Sequence, residues 1–148
     1  MAELAPAVVV DGLTKRYGDR VAVADLSFTV GAGEVFAFLG PNGAGKTTAI
    51  EILEGYRGRD GGTVAVLGLD PEREARRLRP RIGLMLQEGG IYPQVRPREI
   101  LAHFARLYPN PDDPDRLIDL VDLRDALKTT YRRLSGGQKQ RLALALAL

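Results

Sequence analysis

The chain has 148 residues with 21 basic and 19 acidic side chains, a formal net charge of +2, and 45% hydrophobic and 27% charged residues. That is ordinary globular composition, long enough for a sizeable core and too nearly neutral to imply a polyanion partner, so no nucleic acid is expected. There is no cysteine, which excludes disulfide frameworks and thiolate metal sites.

No uncharged apolar run approaches ~20 residues, so no segment reads as a bilayer span. The first residues lack the basic and apolar regions of a signal peptide. The expectation is a soluble, cytoplasmic protein.

Val8, Val9 and Val10 open a first strand, followed by residues 13–17 and a turn at Gly18 and Asp19. Residues 21–23 and 26–30 supply further β-type residues before a turn at Gly31, Ala32 and Gly33. Short connections between these pieces predict an antiparallel sheet. Tyr17 is then either a half-buried sheet aromatic or a stacking platform for a base.

Val35, Phe36, Ala37, Phe38 and Leu39 form an uncharged apolar run, the pattern of a strand buried on both faces. Gly40, Pro41, Asn42, Gly43, Ala44, Gly45, Lys46 and Thr47 then complete the phosphate-binding loop pattern. A helix follows, with Ile50 and Leu53 at helical spacing and Gly55 placed to end it. Glycines allow backbone N–H groups to converge on one anion, and the helix adds its positive dipole end. Lys46 can reach the β- and γ-phosphates, the Thr47 hydroxyl suits a Mg²⁺ ligand position, and Thr48 can bond the α-phosphate region. This is the pattern of a nucleoside triphosphate site.

Residues 63–67 read as another strand, closed by Gly68. Asp70 and Pro71 are placed to cap and start a short helix that carries Arg73, Arg76, Arg77, Arg79 and Arg81, read as a solvated face. Residues 82–86 read as a further buried strand delivering Gln87 at its C-terminal end, where open α/β sheets bind ligands.

From residue 88 helices dominate. Ile100, Leu101, Phe104 and Leu107 share one face of a helix over residues 99–107, and the single histidine, His103, is a polar position on it. A Pro/Asp-rich linker over 109–114 precedes a segment at 116–121. Ser135, Gly136, Gly137 and Gln138 open the last helix. They read either as an ordinary helix cap or as a second phosphate-binding turn made of two glycine amides, a hydroxyl and a helix dipole.

Taken together, these motifs resemble the ATP-binding-cassette (ABC) ATPase family along nearly the whole chain. Residues 40–48 are similar to its phosphate loop, and Leu134-Ser135-Gly136-Gly137-Gln138 to its signature motif with no substitutions. Gln87 falls where the family has its glutamine loop, and Tyr17 matches its adenine-stacking aromatic. The segments Leu53-Glu54-Gly55-Tyr56 and Val66-Leu67-Gly68-Leu69-Asp70-Pro71 are most similar to bacterial drug-resistance exporter cassettes.

The resemblance implies an α/β fold with an antiparallel sheet, a partial parallel sheet and a helical subdomain. The ATP-binding core would cover 1–87 and the helical subdomain 88–148. It implies ATP and Mg²⁺ as cofactors, with Gln87 touching Mg²⁺ and the attacking water. Ser135, Gly136, Gly137 and Gln138 would bind the γ-phosphate held by a second cassette in a head-to-tail dimer. A separate membrane-spanning subunit would be the transport partner, placing the chain at the inner face of the cell membrane.

The family's acidic strand, with its Mg²⁺-associated Asp and catalytic Glu, has no counterpart in these residues. The expectation is therefore a truncated cassette that is inactive alone. The alternatives are a soluble ABC ATPase of DNA repair or translation and a module that binds ATP without turnover. A phosphate-loop kinase or GTPase is disfavoured, because neither needs the signature.

Overall fold

A computed structural model describes residues 5–85 and 90–148. They fall into two compact units, one reaching to Arg81 and one starting at Ile82.

The first unit is built on a three-stranded antiparallel sheet in the order β2-β1-β3: β1 Val8–Tyr17, β2 Arg20–Val30 and β3 Gly61–Val66. β1 and β2 form a hairpin closed at Gly18 and Asp19, with Tyr17 opposite Arg20 and Val8 opposite Val30. A register shift around Gly12, whose N–H donates to the Ser27 hydroxyl at 2.8 Å, bends β1. The bulge explains how Val10 and Leu13, three residues apart, can both be fully buried in a strand of period two.

Helix α1, Lys46–Leu53, buries Ala49 and Ile52 among the core residues Val23, Val64 and Leu69. The Asp70 carboxylate accepts the N–H groups of Glu72 and Arg73 at 2.9 and 3.3 Å, but these bonds close a turn and not the expected helix, which starts only after Glu74. The helix that follows is shorter than expected. It is a turn, then α2 at Ala75–Leu78, then a 3₁₀ turn over Arg79–Arg81 that contains Pro80. Pro80 has no N–H to continue the helical ladder, which ends the α-helix at that point.

Two strand expectations are overturned. Residues 35–39 are not a strand and not buried: Val35 is 98% and Leu39 88% exposed. No strand among the described residues pairs with this segment, so the parallel ladder expected there is not made. It is held instead by aromatic contact. Phe36 stacks on Phe28 of β2 at 5.0 Å between ring centroids, and Phe38 meets Phe28 edge-on at 5.4 Å. Residues 82–85 likewise form no strand, with Leu84 and Met85 about two-fifths exposed.

The second unit is helical: α3 Pro97–Ala105, α4 Pro114–Leu120 and α5 Gly136–Ala147, with 3₁₀ turns at Arg124–Ala126 and Tyr131–Arg133. Its core gathers Ile100 and Leu101 of α3, Leu117 and Ile118 of α4, and Leu142 and Ala145 of α5, closed by Val121, Leu123, Ala126 and Leu134. The expected apolar face of α3 is therefore real, and His103 lies on its exposed side. Leu107 falls beyond the helix end and is exposed. Arg98 makes a two-pronged pair with Asp115 that ties α3 to α4, its closest contact 2.8 Å. Within the linker before α4, Asp113 caps the helix by accepting the Asp115 N–H at 2.9 Å.

Candidate functional site

The phosphate loop runs from Gly40 to the first turn of α1. Gly45 is the residue before α1 and adopts φ +83°, a left-handed conformation that side chains disfavour. A Cβ there would stand 2.0 Å from the carbonyl oxygen of Ala22 in β2. Glycine thus lets the loop press directly against the hairpin backbone.

The Lys46 ammonium folds back over the loop and donates to the carbonyls of Gly40 and Pro41 at 2.5 and 2.7 Å. Ala44 N–H closes a turn onto Pro41, and Ala49 N–H begins the helical ladder on Gly45. Among the described residues nothing accepts the N–H groups of Gly43, Gly45, Lys46 or Thr47. The loop therefore combines amide donors without a partner among the described residues, one cation and the positive end of a helix, a set of groups suited to an anion. Thr47 is exposed and Thr48 is half-buried.

Tyr17 ends β1 and is 42% exposed. The Arg57 guanidinium lies 5.4 Å from its ring centroid and the Lys15 ammonium 5.7 Å. Arg57 is held in turn by Glu51 of α1 at 2.6 Å. The strand end is fixed by Asp60, which accepts the Arg16 N–H at 2.7 Å and the Lys15 ammonium at 2.9 Å. Those bonds, the backbone one foremost, hold the Asp60 carboxyl below its ordinary pKa. At the far end of α1, burial and then the neighbouring Glu51 push the Glu54 carboxyl up.

In the second unit, Ser135 precedes α5 in extended conformation and its hydroxyl accepts the Gln138 N–H at 3.2 Å. The Gln138 side chain accepts the Ser135 N–H at 2.9 Å, completing a reciprocal capping box. No Cβ on Gly136 or Gly137 would meet another atom within 4 Å, so the helix entrance is open. Lys139 reaches over the Tyr131 ring at 5.4 Å. Gln87 lies outside the described residues.

The structure brings the phosphate-loop residues together with the end of the β1–β2 hairpin. Sequence reasoning passed over Arg57 and Arg20. The two-residue turn at Gly18 and Asp19 was the available signal for Arg20, because it sets that residue opposite Tyr17.

A glycine loop opening a helix against an antiparallel hairpin, in a chain that also carries a serine-capped helical unit, is the architecture of a nucleotide-binding cassette. A solved structure of the ATP-binding subunit of an ABC transporter superposes with a TM-score of 0.81 at 23% identity, covering 95% of this chain and 61% of that one. Residues 23–148 match the family described as ABC transporter, and the chain belongs to that family.

Among curated relatives, the daunorubicin resistance ATP-binding protein DrrA3 of Streptomyces coeruleorubidus is 40% identical over 147 residues. The match covers 96% of this chain and 46% of that protein. A Nod factor export ATP-binding protein I from Burkholderia orbicola is 39% identical over 139 residues, 90% of this chain and 46% of the relative. The chain thus spans about half the length of the curated relatives it matches.

Proposed function

We propose that the chain is the phosphate-binding and signature-bearing part of an ATPase subunit that drives export through a separate membrane protein. The observation that supports this most is the loop at residues 40–47, where Lys46 folds over the loop and several backbone amides have no partner among the described residues. Such a site works by placing fixed positive charge where phosphate charge lies, so Lys46 and the loop amides stabilise the transferring phosphoryl. Tyr17 offers its ring to adenine. Export is the direction carried by the name of the Nod factor relative.

Magnesium fits this donor set only as a companion of the nucleotide. Among the described residues no group of three or more His, Asp or Glu side chains could hold a metal. The exposed Thr47 would offer its hydroxyl as a ligand, and the others would be phosphate oxygens and water, with Gln87 by family resemblance. Bound there, Mg²⁺ would neutralise charge on the phosphates.

Ser135, Gly136, Gly137 and Gln138 are proposed to face the nucleotide of a second cassette. The open entrance to α5 supports that role, and the capping box would present the helix end ready-made. No helix among the described residues is long and apolar enough to cross a membrane. Placement on the inner membrane face would therefore come through the partner. The 148-residue chain is proposed to bind ATP without turning it over, since its residues offer no carboxylate in the role of the family's catalytic Glu.

Lys46→Ala should abolish fluorescent-nucleotide binding while the thermal melt is retained. Unchanged affinity would remove the phosphate-loop assignment. Phosphate release by the 148-residue chain at a rate above buffer would remove the claim of binding without turnover.

A further inference from the structure

The end of the β1–β2 hairpin abuts the phosphate loop at two points. Gly45 packs on the backbone of Ala22, and a Cβ on Gly43 would lie 3.6 Å from Arg20 Nη2. Arg20 and Tyr17 are directly opposite each other across the two-residue turn, and residues opposite in an antiparallel pair project to the same face of the sheet. One turn thus carries both the aromatic ring and a guanidinium, the latter at the rim of the loop.

Arg20 is exposed and makes no ion pair or side-chain hydrogen bond among the described residues. Three neighbouring cations are engaged: Lys15 with Asp60, Arg57 with Glu51, and Lys46 with the loop carbonyls. Among the described residues Lys15 and Arg57 are thus tied to carboxylates, whereas Arg20, like Arg16 and Asp19 of the same hairpin end, has no side-chain partner. A cationic side chain beside a loop of unused amides is placed to donate a charge-assisted hydrogen bond to a phosphate oxygen.

We propose that Arg20 is a further nucleotide-binding residue. It would grip the phosphate chain of ATP from the hairpin side, between the base on Tyr17 and the phosphates in the loop, opposite Lys46. This rests on the ATP-binding reading above and extends it to a residue outside the phosphate-loop pattern. Because Arg20 has no side-chain hydrogen bond or ion pair among the described residues, its role is separable from folding.

The test is fluorescent-ATP titration of the full chain as wild type, Arg20→Gln, Arg20→Lys and Lys46→Ala, each with a thermal melt. The expected result is binding roughly tenfold weaker in Arg20→Gln, the loss of one charge-assisted hydrogen bond. The melt should be unchanged, Arg20→Lys should recover most of the affinity, and Lys46→Ala should lose binding. If Lys46→Ala loses binding but Arg20→Gln matches wild type, the role of Arg20 is overturned and the ATP site stands. Weakening in Arg20→Gln with an equally lowered melting temperature and no recovery in Arg20→Lys also overturns it, as a folding effect. Unchanged affinity in both Lys46→Ala and Arg20→Gln overturns the ATP site, and the role of Arg20 falls with it.

Discussion

At the scale of single residues, Gly45 is where backbone conformation and site chemistry meet. Any side chain there must hold φ +83° and displace the Ala22 carbonyl oxygen, which a Cβ would approach to 2.0 Å. Left-handed backbone alone costs a non-glycine residue about 1–3 kcal/mol. Gly18 gives the comparison, since it has φ +56° but a Cβ there would meet nothing within 4 Å. Gly45→Ala should therefore lower the melting temperature more than Gly18→Ala and weaken ATP binding as well. Equal effects would mean that the contact with β2 does not constrain the loop.

Asp70 gives a second prediction at this scale. Its carboxylate accepts from Arg59 at 2.7 and 3.1 Å and from two backbone N–H groups, and the Arg59 bond foremost lowers its pKa to about 2. A carboxyl with a depressed pKa stabilises the fold fully above its unfolded value near 3.8, and that contribution disappears as pH falls towards 2. Asp70→Asn should reduce stability at pH 7 by about 1–2 kcal/mol, and the difference from wild type should vanish at the acid end of this range. Denaturant melts at both pH values check it.

At the scale of elements, α5 depends on its entrance. The capping box of Ser135 and Gln138 satisfies backbone N–H groups that a helix end otherwise leaves unpaired. Ser135→Ala should cost about 1 kcal/mol of stability, and Ser135→Asp should restore it by capping equally well. Asp would nevertheless place negative charge where phosphate is proposed to sit. If the Asp variant, in a chain extended to the relatives' full length, is stable but fails to hydrolyse ATP, Ser135 does more than cap. Full turnover in that variant would leave it a cap only.

The elements legible in the sequence were those with local signals. The hairpin turn, the phosphate loop, the periodic face of α3 and the serine before α5 each need only a few neighbouring residues to be recognised. Residues 35–39 and 82–85 were misread because an apolar run records a demand for burial, not whether a partner strand is present to meet it. Arg20 escaped notice for the converse reason. Its neighbour Gly43 is more than twenty residues away, and only the packing of the phosphate loop against the hairpin brings the two together.

At the scale of the whole molecule, the exposed apolar segment before the phosphate loop governs behaviour in solution. Val35 and Leu39 are almost fully exposed, and Phe36 is 44% exposed even though it stacks on Phe28. Leaving such side chains in water forgoes about 1.5–3 kcal/mol each relative to full burial. The segment also has no ladder among the described residues, so unpaired backbone groups lie beside apolar surface, the combination that recruits other chains. The 148-residue chain should therefore self-associate as its concentration rises and should brighten an apolar dye in its native state. Val35→Lys should suppress both effects, because a charge at a position already in water costs the fold little and obstructs strand pairing. Leu107→Lys is the control: that residue is also well exposed, at 67%, but lies after α3 and outside residues 35–39. Sedimentation velocity of the three chains over a wide concentration range decides the matter. A wild-type chain that stays monomeric throughout, or one for which Leu107→Lys works as well as Val35→Lys, would show that residues 35–39 are not the surface through which the molecules meet.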